Sequence, residues 1–273
     1  MELVVAVVDN VVASVSSAVD RVQRDLARRS HLRPCAEVDA LFGELVRLVA
    51  AVPPGSVLPE CRRHGPVLRR LCAEGEQQLE LVWARRIATA SDPDGCLAGF
   101  PYLDNYRRLA RLELDTLARV ASRPPRRVLF VGAGPLPLSA LLMADALGVP
   151  VDAMDRDPAA LDAGRQVLAA LRAGRVRSVA GDAMTADVAG YDLVMVAALV
   201  GSTPGAKEAV LQRLARAMTP GSVLLVRSAR AARTLLYPPV EPAHLKGFAV
   251  HAVVHPVDDV INSVVVATAL GAS

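Results

Sequence analysis

The feature of this chain that allows the fewest folds is an apolar run that leads straight into two closely spaced glycines. Residues 127–139 read RVLFVGAGPLPLS. This pattern predicts a buried strand, a tight turn at Gly132 and Gly134, and a helix whose first turn holds the prolines. Such a unit turns free backbone N–H groups and the positive end of a helix towards a ligand, as at the first crossover of nucleotide-binding sheets. We therefore expect a nucleotide-like group to bind here.

After this segment, apolar runs alternate with helical periodicities. Strands are expected at residues 128–131, 151–154, 176–180, 193–197, 223–226, 249–254 and 263–268. Helical stretches at 139–146, 159–173 and 208–218 separate the first five strands, which should therefore pair in parallel. Only the short segment 256–259 joins the last two strands, so these should form an antiparallel end pair. This Rossmann-like α/β outline of seven strands is that of an S-adenosylmethionine-dependent transferase sheet.

The residues before the glycine segment are expected to be helical, because their apolar positions recur three and four apart. Helices are expected at residues 2–29, 37–51 and 67–90, and around Leu109, Leu112, Leu117 and Val120. Residues 53–56 (PPGS) should end the second helix, and Pro66 should begin the third. The composition changes at 124–126 (PPR). We expect two domains: an all-α bundle at 1–122 that acts as a substrate lid, and a Rossmann-like cofactor domain at 123–273.

The charge and cysteine content exclude several classes of function. The 31 basic and 28 acidic residues are interleaved and only 3% of residues are aromatic, unlike the pattern of nucleic-acid-binding proteins. The four cysteines form no CxxC pair, which favours neither a metal site nor a disulfide framework and fits a reducing compartment. The apolar run at 3–8 is too short for a membrane span and lacks the features of a signal peptide. We expect a cytoplasmic protein without nucleic-acid or membrane partners.

The cofactor should be bound where the parallel strands end. The residues expected to contact it are Gly132, Ala133, Gly134, Pro135, Asp155, Arg156, Gly181, Asp182, Ala183, Ala197, Ala198 and Leu199. Asp155 ends the second strand, where an acidic side chain accepts from both ribose hydroxyls, and Asp182 follows the third, where a carboxylate receives the adenine amino group. Residues 197–201 form the lip where a substrate meets the cofactor. Asp157 and Asp182 have helix capping as an alternative role. The prolines after the glycines disfavour a nicotinamide dinucleotide, whose pyrophosphate needs small residues there.

Four polar residues of the helical region are candidates for chemistry. Glu76 and Glu80 are four apart and share a helical face, where two carboxylates can bind an amino group and take its proton. A solvated acidic face is the alternative. Tyr102 and Tyr106 are also four apart, in a chain with four tyrosines. A phenol near a carboxylate can relay a proton from an attacking amine, and packing is the alternative role.

Five ordered segments carry a resemblance to a known family. They are residues 100–106 (FPYLDNY), 130–138 (FVGAGPLPL), 197–201 (AALVG), 236–242 (LYPPVEP) and 255–265 (HPVDDVINSVV). Together they resemble nicotianamine synthase. This resemblance implies a transferase in which the amine of an acceptor attacks the γ-carbon of the methionine moiety of S-adenosylmethionine. The 3-amino-3-carboxypropyl group is transferred and methylthioadenosine leaves. A nicotianamine- or opine-type metallophore is the implied end product.

The resemblance also assigns roles to residues. It places the catalytic groups, which act on the amine, at Glu80 and Tyr106. The substrate-binding residues are expected to be Glu76, Tyr102, Asn105, Arg227 and Asn262. Arg227 and Asn262 are candidates for the substrate carboxylate, with a structural salt bridge as the alternative. The acceptor is expected to be an amino acid or a second S-adenosylmethionine, no metal ligand is expected, and a homodimer is left open.

The chain departs from the family pattern at a few positions. Leu103 stands where plant members carry a second adjacent tyrosine, which leaves the acceptor and the number of transfers open. Met154 and Arg156 flank Asp155 where other residues are expected. Three competing functions remain: cyclisation of S-adenosylmethionine to azetidine-2-carboxylate, ordinary methyl transfer, and a cofactor-binding module without catalysis.

Overall fold

The fold is taken from a computed structural model that describes residues 2–53, 55–56, 58–121 and 123–271, with the side chains described from residue 12 onwards. Two predicted features touch positions outside these ranges. Pro54 belongs to the segment expected to end the second helix, and Ser122 is the last residue of the expected helical domain. No helix among the described residues is long and apolar enough to span a bilayer.

Helices make up the N-terminal half of the described chain. They are α1 (Glu2–Ala27), α2 (Ala36–Ala51), α3 (Glu60–Arg63), α4 (Gly65–Thr89), α5 (Pro93–Ala98) and α6 (Leu103–Val120). Helix α4 begins with a proline in its first turn, where the missing N–H costs no helical hydrogen bond. Asp92 caps α5 by accepting from the Gly95 N–H.

A seven-stranded sheet makes up the rest, with order β3-β2-β1-β4-β5-β7-β6. Its strands are β1 (Val128–Val131), β2 (Val151–Asp155), β3 (Val176–Ala180), β4 (Leu193–Val196), β5 (Val223–Ser228), β6 (Phe248–Val254) and β7 (Ser263–Ala269). Strands β1 to β5 pair in parallel, whereas β7 runs antiparallel to both β5 and β6. The crossovers are α7 (Leu138–Leu147), α8 (Pro158–Ala170) and α9 (Pro204–Ala217).

Strand β1 shows why this sheet is buried on both faces. Its four residues are all buried and apolar, and successive side chains point to opposite faces. Val128 and Phe130 pack in a cluster with α6 and α7, whereas Leu129 and Val131 pack in a second cluster with α9. The central strand is therefore covered by helices on both sides.

The helical half and the sheet half share apolar clusters. One cluster joins Leu26, Leu45 and Leu68 of the helical half to Leu235 and Ile261 of the other half. A second joins α4 and α6 to the start of α7 and to α8. These shared clusters hold α4 over the carboxyl ends of the parallel strands.

The predicted fold class and strand set are confirmed, and three details of the prediction are wrong. The prolines Pro135 and Pro137 precede α7, which begins at Leu138, instead of lying in its first turn. Helix α5, which begins at Pro93, was not expected. The short helix α3 was not expected, because four residues are too few to show a helical period.

The glycine turn after β1 packs tightly against the loop after β4. Gly132 has a φ of +82°, which disfavours any residue with a Cβ. A Cβ at Gly132 would lie 2.3 Å from Cγ2 of Val200. Gly132 is therefore required by both its backbone angle and its neighbour.

Three glycine-to-alanine variants separate these two effects. Gly148 has a φ of +69° with nothing near its would-be Cβ, and Gly174 has neither constraint. We expect Gly148→Ala to lower the free energy of unfolding by about 1–2 kcal/mol, because only backbone strain is added. Gly132→Ala should cost clearly more, and Gly174→Ala should cost nothing. Urea denaturation of the three variants gives the order of their losses in unfolding free energy. Equal losses for Gly132→Ala and Gly148→Ala would contradict the packing argument.

Candidate active site

A cavity of about 790 Å³ lies between helix α4 and the carboxyl ends of the parallel strands. Every residue that the sequence placed in the active site lines this cavity. The position agrees with the general rule that open α/β sheets bind ligands beyond the carboxyl ends of their strands. Three of the four tyrosines of the chain also line it, namely Tyr102, Tyr106 and Tyr237. Among the described residues, no group of three His, Cys, Asp or Glu side chains is placed to hold a metal ion.

Helix α4 carries two acids on the face that borders the cavity. Oε1 of Glu80 accepts a hydrogen bond from the Tyr106 hydroxyl at 2.8 Å. Oε2 of Glu76, one turn earlier, accepts from the Tyr237 hydroxyl at 3.0 Å. Glu80 is only 8% exposed, so this is not the solvated acidic face that was the alternative. Two carboxyl–phenol pairs therefore stand side by side in the cavity wall.

The carboxylate of Glu80 reaches the glycine turn of the sheet. Gly134 has a φ of +66°, and a Cβ there would lie 2.7 Å from Oε2 of Glu80. The absence of a side chain at Gly134 thus leaves the room that Glu80 occupies. The acid of the helical half and the glycine turn of the sheet half meet at this point.

Burial alters the acidity of these groups. It raises the pKa of Glu76, and it raises the pKa of Glu80 well above the usual range, with a further rise from the nearby Glu76 charge. The pKa of Tyr106 is also raised well above its usual value, first by burial and then by Glu80. Glu80 is therefore more basic than an ordinary carboxylate and better suited to take a proton from an amine. Tyr106 stays a neutral donor that orients Glu80.

Asp155 at the end of β2 contacts the glycine turn. Its Oδ2 accepts from the Gly134 N–H at 2.8 Å, and its Oδ1 accepts from the Asp157 N–H at 3.0 Å. Each carboxylate oxygen keeps a second lone pair for a ligand hydroxyl. Asp155 thus fixes the turn, and its role towards a ribose stays a prediction.

The neighbouring acids have local partners as well. Asp157 caps α8 through the Ala159 N–H and accepts from Gln77 of α4, so the capping alternative holds for it. Asp182 accepts from the Met184 N–H and lies 3.9 Å from the guanidinium of the exposed Arg156. Asp182 and Arg156 both border the cavity, where contact with an adenine stays a prediction.

Arg227 forms the salt bridge that was its alternative role. Its Nε and Nη2 donate to both carboxylate oxygens of Glu113 on α6, at 2.6 and 3.1 Å, and Nη2 also donates to Oγ of Ser139 at 2.8 Å. The pair is buried, with Glu113 fully enclosed. Arg227 nevertheless borders the cavity, as does Asn262, whose buried Nδ2 has no hydrogen-bond acceptor among the described residues. A buried donor without an acceptor is costly, which suits a position that meets a ligand.

Tyr102 and Asn105 lie at the side of the cavity next to α6. The Tyr102 ring packs edge-to-face on Phe100, and burial raises the pKa of its phenol. Nδ2 of Asn105 donates to the carbonyl of Asp259 at 3.2 Å, which connects α6 to the loop between β6 and β7. Both side chains therefore have packing or loop-holding contacts in addition to bordering the cavity.

Comparison with known proteins identifies the family. The family model described as "Nicotianamine synthase protein" matches residues 8–272. The chain belongs to the nicotianamine synthase family. Nicotianamine synthase 1 of Oryza sativa subsp. japonica is 39% identical over 279 residues, which cover 96% of this chain and 82% of the relative. Nicotianamine synthase 1 of Hordeum vulgare is 40% identical over 272 residues, covering 94% and 82%.

Solved structures of similar fold match most of the chain. A crystal structure of a single-residue variant of MtNAS in complex with S-adenosylmethionine has a TM-score of 0.79 and 22% identity, covering 93% of this chain and 98% of that one. The crystal structure of MtNAS in complex with MTA and tNA has a TM-score of 0.79 and 23% identity, covering 94% and 96%. The family fold therefore extends over both halves of the chain.

The sequence did not point to Tyr237, which borders this nicotianamine synthase-type cavity, or to Glu113 and Lys207, which are buried behind it and contact residues that border it. Tyr237 lies in the segment 236–242 that resembles the family, and the scarcity of tyrosine, with four in the chain, could have drawn attention to it. Glu113 gave no signal, because its partner Arg227 is 114 residues away. Lys207 is buried beneath the loop after β4, and as one of two lysines among 31 basic residues it could have been noticed.

The Glu113–Arg227 pair predicts a large stability effect. We expect Glu113→Gln to lower the free energy of unfolding by about 3–5 kcal/mol, because it leaves the Arg227 charge buried without its counter-ion. Asp104→Asn, which breaks the exposed pair with Arg107, is the matched control and should leave stability unchanged. Chemical denaturation of both variants measures the difference. A Glu113→Gln variant as stable as the control would show that Arg227 does not depend on this pair.

Proposed function

We propose that this protein transfers the 3-amino-3-carboxypropyl group of S-adenosylmethionine to the amine of an acceptor, with release of methylthioadenosine. The observation that carries the proposal is the Glu80–Tyr106 pair, held against the Gly134 turn in the cavity wall. Membership of the nicotianamine synthase family supports the same chemistry. The product we propose is a nicotianamine- or opine-type metallophore precursor.

The proposed reaction needs little covalent help from the protein. The lone pair of a neutral amine attacks the γ-carbon of the methionine moiety, and the C–S bond breaks with its electron pair going to sulfur. The positive sulfonium becomes a neutral thioether, while the amine nitrogen gains a bond and loses a proton. The protein must hold the two reactants in line, exclude water and accept that proton.

The residues divide between these tasks. In the proposal Glu80 accepts the proton, since its raised pKa brings it closer to that of an amine, and Tyr106 keeps its carboxylate oriented. Glu76, fixed by Tyr237, attracts a second ammonium group. Arg227 and Asn262 face a substrate carboxylate from the β5–β7 side of the cavity.

The cofactor side is the floor of the same cavity. Its lining residues are Gly132, Ala133, Gly134, Pro135, Asp155, Arg156, Gly181, Asp182, Ala183, Ala197, Ala198 and Leu199. We propose that the adenosine lies along this floor, with the sulfonium towards Glu80. The helical residues 1–122 then cover the site as one unit and residues 123–273 bind the cofactor, in a protein of the cytoplasm.

Product analysis tests the proposed reaction. Purified protein is incubated with S-adenosylmethionine and the twenty standard amino acids, and the nucleoside product is identified by mass spectrometry. We expect methylthioadenosine together with an amino acid heavier by one aminocarboxypropyl group. S-adenosylhomocysteine in its place would show an ordinary methyltransferase. Methylthioadenosine with azetidine-2-carboxylate, formed without any acceptor, would show a cyclase.

The two catalytic candidates predict a distinctive kinetic pattern. We expect Glu80→Gln and Tyr106→Phe each to lower kcat by about 100-fold or more, because proton acceptance is lost or misaligned. The dissociation constant for S-adenosylmethionine should change little. Tyr191→Phe is the matched control, because Tyr191 hydrogen-bonds Asp152 and does not border the cavity. Normal turnover in both test variants would exclude these side chains from catalysis.

A further inference from the structure

The buried cation Lys207 is not used by the proposed reaction. It lies on α9, and its side chain is fully buried. No described carboxylate pairs with it, and burial alone lowers its pKa to about 7. An ammonium in such a place costs free energy unless its hydrogen bonds compensate. Its Nζ donates to the carbonyl of Ala198 at 2.9 Å and to that of Ala197 at 3.3 Å.

These two bonds fix the direction of two peptide groups in the loop after β4. The part of the chain that the structure describes has no cis peptide bond, so each C=O points away from the N–H of the same peptide. With both carbonyls turned to Lys207, the N–H groups of Ala198 and Leu199 are turned to the opposite side. Ala198 and Leu199 both border the cavity.

The two N–H groups are free to bind a ligand. Within the described residues, neither donates to a protein acceptor, whereas the N–H groups on either side are used. That of Ala197 donates to Val131 at 3.0 Å, and that of Val200 donates to Ala197 at 3.3 Å. Backbone donors without acceptors are rare in buried positions, and Ala198 is only 5% exposed. Two adjacent free donors are a suitable site for an anionic oxygen.

The loop is also held rigidly from both sides. A Cβ at Gly201 would lie 2.6 Å from the backbone N and Cα of Lys207, so the loop rests directly on α9. On the other side Val200 packs against Gly132 of the glycine turn. The peptide groups between these contacts therefore have little freedom once Lys207 holds their carbonyls.

The proposed reaction brings two carboxylates into the cavity, one on the methionine moiety of the cofactor and one on the acceptor. Arg227 and Asn262 offer a place for one of them. The acids Glu76, Glu80 and Asp155 repel a carboxylate from their part of the wall. The second carboxylate needs donors elsewhere in the wall.

We propose that the backbone N–H groups of Ala198 and Leu199 form a binding site for the α-carboxylate of an amino-acid moiety, with Lys207 as the positioning residue that directs them into the cavity. This inference rests on the proposed function. The carboxylate belongs either to the cofactor or to the acceptor, and the two sources differ in what they predict.

A ligand pair with and without a carboxylate tests the site. S-adenosylhomocysteine carries the α-carboxylate, whereas methylthioadenosine lacks it. Lys207→Met removes the donor while keeping a chain of similar length, and Lys246→Met changes the exposed second lysine as a control. Calorimetry measures both dissociation constants for the wild type and both variants, and a thermal melt checks that each is folded.

If the site holds the cofactor carboxylate, Lys207→Met should bind S-adenosylhomocysteine about tenfold more weakly, with methylthioadenosine within twofold of wild type. If it holds the acceptor carboxylate, both nucleosides should bind normally. The KM of the acceptor identified in the product analysis should then rise by about tenfold. If Lys207→Met weakened the binding of both nucleosides equally, Lys207 would have only a structural role and the proposal would be overturned. No change in the two dissociation constants and the acceptor KM would also overturn it.

Ala198→Pro provides a second test that leaves Lys207 in place. Ala198 is the second residue of the turn closed by the Val200 N–H, and its φ is not positive, a position that proline favours. The substitution removes one of the two donors and should give the same loss of discrimination as Lys207→Met. It decides the question if Lys207→Met does not fold. If the wild type releases methylthioadenosine and the variants give either overturning result, this inference alone is refuted. If the wild type does not release methylthioadenosine, the proposed function is refuted.

Discussion

The structure depends on the contact between the Glu80 carboxylate and the Gly134 turn, where the helical half meets the sheet. Because Gly134 lacks a Cβ and has a positive φ, an acid from α4 reaches the glycine turn of the sheet. Asp155 holds the same glycine through its N–H, and Tyr106 holds Glu80 through its hydroxyl. One glycine thus connects the end of β2, the middle of α4 and the start of α6. Any displacement of α4 would separate the acid from the glycine turn.

Burial gives these groups their chemical character. In water Glu76 and Glu80 would both be ionised at neutral pH and would only attract cations. Inside the cavity desolvation raises the pKa of each, and their mutual repulsion raises that of Glu80 further. The pKa values of Tyr106 and Tyr237, whose phenols contact these acids, are also raised, so both phenols remain hydrogen-bond donors. A helix with the same acids on an exposed face would offer charge but no base of suitable strength.

The sequence allowed the sheet, the glycine turn and the predicted cavity residues to be found, since strands and motifs are local patterns. It could not separate alternatives that depend on distant partners. Arg227 was open between a ligand role and a salt bridge, and the salt bridge depends on Glu113, which lies on a different element. The sequence left Asp157 equally open between a ligand role and a helix cap, and in the structure it caps the start of α8. Lys207 shows no motif, because its importance comes from the peptide groups it faces.

The apolar cluster shared by the two halves bears on how reactants enter. Leu26, Leu45 and Leu68 are packed on Leu235 and Ile261, so swinging the helices away from the sheet would expose a hydrophobic core to water. That cost grows with every buried side chain, at about 25 cal/mol per Å² of apolar surface. A wide hinge motion is therefore expensive for this molecule. Small movements of side chains and loops at the cavity mouth would cost less, so we expect these movements to admit substrates while the helices stay in place.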